Sequence, residues 1–202
     1  MDNIEYSEKE IAIFDGLVLL MREGANPYSI KVSDIARSAN IGKGTIYDYF
    51  DSKEEVISKA IIYSMSKEIK GAFERIRSRD QFKDRFYEVL YIIEENLKNK
   101  LSLLNILLSS GGIEKFYEYL ADKECSVTRF MALINGEIRN LLEMGFNEGL
   151  IKSQGADYYE IMVVQGAISS FSKYINQRDL YKDIGIEDAR DVAYKIALKA
   201  LN

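Results

Sequence analysis

An all-α fold of about nine helices is what this sequence predicts, on three observations. The 202 residues hold one proline, Pro27. Glycines punctuate the chain sparsely. Between them, apolar residues recur at helical spacing over long runs, where strands would need turn signals every 8–12 residues or so.

The elements follow in order. Ile11, Phe14, Leu17, Val18 and Met21 mark a first helix, opened by a capping box from Ser7 to Glu10 and closed by Gly24 and Pro27. Val32, Ile35, Ala36 and Ala39 give a second, short helix one apolar face. Ile41 follows at the turn, and Ile46 and Phe50 fall on a helix of about seven or eight residues from Lys43. Ser52-Lys53-Glu54-Glu55 is a second capping box and opens a helix to about Arg77. Its apolar residues Ile57, Ile61, Met65, Ile69 and Phe73 recur every four and drift around the helix, so it touches more than one neighbour. Phe82, Phe86, Val89, Leu90, Ile93 and Leu97 form the next stripe. Residues 101–108 are apolar on nearly every side and read as a buried helix. Ser109-Ser110-Gly111-Gly112 breaks it, and a short aromatic piece from Ile113 to Leu120 comes next. Three long helices finish the chain. One runs from Val127 through Leu142 and closes near Gly149, one carries Ile161, Val164, Ile168, Phe171 and Ile175, and the last carries Ala189, Val192, Ala193, Ile196 and Ala200.

Composition excludes several functions. Apolar residues are 47% and charged residues 29%, which is a globular chain. No run of eighteen uncharged apolar residues offers a membrane span, and the acidic start Met1-Asp2-Asn3-Ile4-Glu5 lacks a secretory signal's basic region. A cytoplasmic protein is expected, with Cys125, the single cysteine, as an inert thiol. There is no histidine. Histidine zinc sites, Ser-His-Asp triads and Cys-His dyads are therefore absent, and one cysteine makes no thiolate zinc cluster. No spacing asks for carboxylate, Lys or Tyr catalysis, so no enzyme activity, no metal and no cofactor are expected.

The stretch from Val32 to Phe50 carries the chemistry. It reads as two short helices and a tight turn, with small Ala36 allowing close approach and Ile41 plugging the corner. Ile46 and Phe50, four apart, anchor the second helix from behind. That leaves Lys43, Gly44, Thr45, Tyr47 and Asp48 towards the other side, which is helix-turn-helix logic for entering a major groove. Lys43 suits a phosphate or a guanine edge, and Gly44 allows close backbone approach. Thr45 offers a hydroxyl and a methyl, and Tyr47 and Tyr49 offer phenolic hydrogen bonds to phosphates. Lys53, at the next helix start, can meet the DNA backbone.

Ile35-Ala36, then Ala39 through Phe50, then Ser52-Lys53-Glu54-Glu55, resembles the TetR family of bacterial transcriptional repressors. The likeness covers roughly residues 7–56. It implies a three-helix DNA-binding domain over residues 1–53, and an effector-binding and dimerisation domain over 54–202 that pairs through its last two helices. Carried over by position, the DNA contacts are Lys43, Gly44, Thr45, Tyr47, Tyr49 and Lys53, with Ser33 on the preceding helix a weaker candidate. Two departures stand out. Gly42 sits where the family often has a serine cap, and Asp48 puts a negative charge on the presumed reading face. Asp48 either accepts from a cytosine amino group or repels phosphate.

Charge tempers the DNA reading. Residues 1–53 carry six Lys/Arg against nine Asp/Glu, whereas residues 31–53 carry four against three. Modest non-specific affinity is expected. A helical DNA-binding or adaptor protein without small-molecule sensing is the alternative.

The remaining expectations concern residues beyond 53. Phe86, Leu90, Leu104, Phe130, Met131, Ile134 and Met162 are candidates to line a pocket for a small apolar or aromatic effector, since Phe, Met and Tyr at helical spacing supply apolar walls. Gly166, Ala167, Ser170, Ala189, Ala193 and Ala197 are small residues that let helices approach, and a homodimer would cover them. The expected partners are then a double-stranded palindromic operator, a small-molecule effector and a second copy of the chain, with no membrane.

Overall fold

The computed structural model describes residues 6–27, 29–98, 127–152 and 156–202. Among them are eight α-helices and a short 3-10 turn, with no strand. The expected helix at 101–108, the aromatic piece at 113–120, Leu104 and Cys125 lie outside the described residues. No described helix is long and apolar enough to cross a membrane.

The helices are α1 (Glu8–Arg22), α2 (Val32–Ser38), α3 (Lys43–Tyr47), α4 (Lys53–Arg77), α5 (Phe82–Lys98), α6 (Val127–Asn147), α7 (Asp157–Asn176) and α8 (Ile186–Ala200). Contacts divide the chain into two compact units, and the division falls inside α4, between Ile69 and Lys70.

In the first unit, Ser7 caps α1. Its side chain accepts from the Glu10 N–H at 3.3 Å, and Glu10 accepts from the Ser7 N–H at 2.8 Å, so both orphan donors are satisfied. Gly24 follows the helix at φ 97°, a left-handed conformation glycine adopts without penalty. Ile13, Phe14, Leu17, Val18 and Met21 are buried on one side of α1. They share a core with Ile35, Ile46, Phe50, Val56, Ile57, Ala60 and Ile61. The Phe14 ring meets Tyr6, Phe50 and Tyr63 at 4.9, 5.6 and 5.4 Å, so the first half of α4 closes this core. Ser52 caps α4 by accepting from the Glu55 N–H at 3.1 Å. Glu55 reaches back one residue further than expected, to the Asp51 N–H at 2.7 Å.

In the second unit, α7 and α8 pack on each other and both pack on α5. Phe82, Phe86, Leu90, Ile138, Leu141, Leu142, Val164, Phe171, Ala193, Tyr194 and Ala197 form one core. A Cβ added at Gly145 on α6 would stand 2.8 Å from the Phe82 ring, so glycine sets that approach. Carboxylates hold the end of α4. Buried Glu88 accepts from Arg75 through one oxygen and from Arg79 through the other, and Glu137 accepts from Arg77 at 2.5–3.1 Å. Arg190 is buried on α8, paired with Glu94 and Glu187 and lying 4.0 Å over the Tyr91 ring.

Candidate nucleic-acid interface

The helix-turn-helix is built from α2, a four-residue turn and α3. Ala39 ends α2, and Asn40 turns the chain at φ 56°, a left-handed position that asparagine tolerates. The Ile41 N–H donates to the Ala36 carbonyl at 2.9 Å, which closes the corner the sequence placed there. Gly42 starts α3 in extended conformation without a side-chain cap, as its lack of a hydroxyl requires.

α3 is five residues long, shorter than the seven or eight expected. After Tyr47 the backbone tightens. The Asp48 and Tyr49 N–H groups donate to the carbonyls three residues back, at 3.2 Å each, and Phe50 donates to Ile46 at 3.0 Å. The turn keeps helical direction long enough to place Phe50 beside the core.

Burial splits α3 into a held side and a presented side. Ile46 is 0% exposed and Phe50 2%. Lys43, Gly44, Asp48 and Tyr49 are exposed, Tyr47 is 51% exposed, and Thr45 is half-buried. Ser33 is exposed in the first turn of α2, and Lys53, first residue of α4, is half-buried. The six DNA-contact candidates and Ser33 thus all reach solvent, and five of the seven fall within Lys43–Tyr49.

The electrostatics are mixed. Arg37 and Asp34 pair on α2 at 3.6 Å. Among the described residues, Lys43 and Asp48 have no ion-pair partner, so α3 and its C-cap present one free charge of each sign. Lys59 on α4 pairs with Glu55 at 2.7 Å and lies 5.7 Å over the Phe50 ring. That hydrogen bond from Lys59 holds the Glu55 carboxyl below its ordinary value.

Two residues missing from the sequence expectations set the angle of the motif. The Ser38 hydroxyl donates to the Gly16 carbonyl at 2.9 Å, and a Cβ on Gly16 would lie 2.9 Å from the Ala39 nitrogen. The signal was there, as an isolated glycine inside an apolar-periodic helix.

The other candidates are scattered by comparison. Phe86 and Leu90 are fully buried in the second unit's core, and Ile134 packs against it. Phe130 is buried, while Met131 and Met162 are 43% and 51% exposed. An open groove of about 480 Å³ on α5 and α6 is lined by Arg85, Asn140, Glu143, Met144, Asn147 and Glu148, and includes none of them. Ala167, Ala189, Ala193 and Ala197 are buried within the chain itself, and Gly166 and Ser170 are exposed.

Comparison with known proteins agrees with this geometry. Residues 24–60 match the family model described as bacterial regulatory proteins, tetR family. The uncharacterized HTH-type transcriptional regulator YhgD of Bacillus subtilis (strain 168) is 29% identical over 121 residues, which are 58% of this chain. The match spans 59% of that relative's length. In fold, a TetR transcription regulator from Haloarcula marismortui superposes with a TM-score of 0.69 at 15% identity, over 98% of this chain and all of the other. The transcriptional regulator FadR of Bacillus subtilis, solved in complex with stearoyl-CoA, gives 0.59 at 17% identity, over 95% and 97% of the two chains. FadR from Bacillus halodurans, described as a fatty acid degradation regulator, gives 0.62 at 15%, over 98% and 97%. Residues 24–60, which contain the helix-turn-helix, thus match the tetR family model, and the chain shares the fold of the solved regulators.

Proposed function

We propose that the protein is a ligand-responsive transcriptional repressor that binds a palindromic operator as a homodimer. One observation carries the reading: α3 is held by Ile46 and Phe50, while Lys43, Gly44, Tyr47 and Tyr49 stand clear of the core. On this reading Lys43, Tyr47, Tyr49 and Lys53 bind phosphates, and Gly44 and Thr45 admit the major-groove floor. Ser33 touches the backbone beside them. The protein acts in the cytoplasm and carries out no reaction.

Residues 1–53 bear the DNA contacts, and residues 54–202 hold the effector site and the dimer face. Pairing runs through α7 and α8. The small residues Ala167, Ala189, Ala193 and Ala197 bring these two helices together within one chain. Gly166 and Ser170 on α7, with exposed Val192 and Ile196 on α8, meet the second copy. A two-fold dimer would set its recognition helices about 34–36 Å apart, one turn of DNA.

The effector is apolar or aromatic and binds within residues 54–202, where Phe86, Leu90, Phe130, Met131, Ile134 and Met162 are the candidates to vary. The stearoyl-CoA held by the Bacillus subtilis neighbour supports an apolar chain as the first class to try. Such a ligand lowers operator affinity only through its preference for one of two conformations of the protein.

The test is selection of bound duplexes from a random pool with the full chain at one stated salt concentration, then footprinting of the winner with and without long-chain acyl-CoA. A two-fold symmetric footprint relieved by the acyl-CoA is expected. No enriched sequence would remove the DNA reading. A footprint unmoved by acyl-CoA and by a panel of smaller aromatic compounds would leave DNA binding and remove the sensor.

A further inference from the structure

We propose that Asp48 is a specificity-determining residue, accepting a hydrogen bond from the exocyclic amino group of a cytosine in each operator half-site. The inference rests on the DNA-binding reading of α3 and deepens it.

Position comes first. Gly44 and Asp48 each lie two residues from Ile46, hence about 160° around the helix from it on either side of the outermost line. Ile46 is wholly buried, so Gly44 on α3 and Asp48, its C-cap, point away from the core. Asp48 keeps right-handed helical angles, φ −74° and ψ −19°, so the helical register extends to it.

Reach comes next. An aspartate side chain is short and touches a base edge only where the backbone itself comes near. Gly44, one turn earlier, makes that possible. A Cβ there would meet no heavy atom within 4 Å, and its φ is not left-handed, so neither packing nor backbone conformation demands glycine. The open space in front of Gly44 lets the groove floor approach the same turn that carries Asp48.

Charge comes last. Asp34 is paired with Arg37, and Glu55 with Lys59. Asp48 has no such partner among the described residues. An unpaired carboxylate on a face that meets phosphates costs affinity everywhere unless it finds a donor. In the major groove only cytosine N4 and adenine N6 donate, and adenine sets its N7 acceptor beside the amino group, where it repels a carboxylate, so cytosine suits an aspartate.

The experiment compares the full-length chain with its D48A and D48N forms in parallel selections from one random duplex pool at one fixed salt concentration. The unaltered chain should enrich cytosine at one symmetry-related position of each half-site. D48A should lose the preference there by about tenfold and keep the other positions. D48N should exchange cytosine for adenine at that position, because an amide pairs with adenine N6 and N7. Base preferences unchanged in both variants would overturn the proposal while the DNA reading stands. Tighter binding by D48A to every duplex, without a change in preference, would make Asp48 a phosphate-repelling charge and also overturn it. If the unaltered chain enriches nothing, the DNA reading fails and this inference with it.

Discussion

Ser38 at the end of α2 and Gly16 in the middle of α1 are joined by a 2.9 Å hydrogen bond from hydroxyl to backbone carbonyl. The bond runs beside a contact in which the α1 backbone at Gly16 leaves no room for a Cβ against Ala39. Together they fix how α2 crosses α1, and α2 in turn carries α3. Gly16→Ala forces backbone apart at a cost of about 1–3 kcal/mol, against the roughly 1 kcal/mol alanine gains in a helix. Lower thermal stability and weaker operator binding are expected together. Ser38→Ala, which removes only the hydrogen bond, should cost about 1 kcal/mol. Melting curves and a binding titration on the two variants check both.

Gly44 gives the opposite pairing of effects. It is an exposed glycine inside a helix with open space around it, so Gly44→Ala should stabilise the chain by about 1 kcal/mol. The added methyl stands on the side proposed to meet DNA, and operator affinity should fall. A variant that melts higher and binds as before would show that the groove floor does not approach α3 there.

Two glutamates of α4 respond to acid with opposite signs. The hydrogen bond from Lys59, helped by the Asp51 N–H, lowers the Glu55 pKa below 4.5. Its ionised form therefore favours folding above pH 4.5, and that contribution is lost as pH falls through the lowered value. Partial desolvation raises the Glu68 pKa although its side chain is 38% exposed, with Arg22 at 3.5 Å opposing the shift. Its ionisation disfavours folding, and the penalty sets in as pH rises through 4.5 to the raised value. At pH 7, Glu55→Gln should melt lower than the unaltered chain, and Glu68→Gln should melt at the same temperature or higher. Both differences should vanish in acid, as melts across the carboxylate range would reveal.

Ile196 and Ala197 are neighbours with different fates. Ile196 is 42% exposed and Ala197 is fully buried. Ile196→Glu should turn a dimer into a monomer by sedimentation while helix content stays. Ala197→Glu should abolish the fold, since it puts a charge into the packed seam of α7 and α8. A dimer that survives Ile196→Glu would place the pairing face elsewhere.

The helices were legible because their ends carry chemistry. Ser7 and Glu10 form the capping box their spacing announces, and Ile46 and Phe50 fall inward as their four-residue separation requires. Periodicity shows which residues share a face, and it is silent on what that face meets. The alanines at 189, 193 and 197 are small enough for a second copy, yet they bury against the chain's own helices, while Val192 and Ile196 on the next face stay exposed. The short span of α3 was equally hidden, since it depends on an uncapped Gly42 and on a tightened last turn. Gly16 escaped notice because its value lies in a crossing helix that is distant in sequence.

The 25-residue α4 contributes to both compact units, and its first half supplies Tyr63 to the ring cluster around Phe14 along with the buried Val56, Ile57, Ala60 and Ile61. A fragment severed after residue 53 would lose one wall of its own interior and leave Phe14 and Phe50 wetted. Any autonomously folding piece that displays α3 therefore extends at least to about Ile69, and a protease able to nick the first half of α4 would silence the recognition helix without ever touching it.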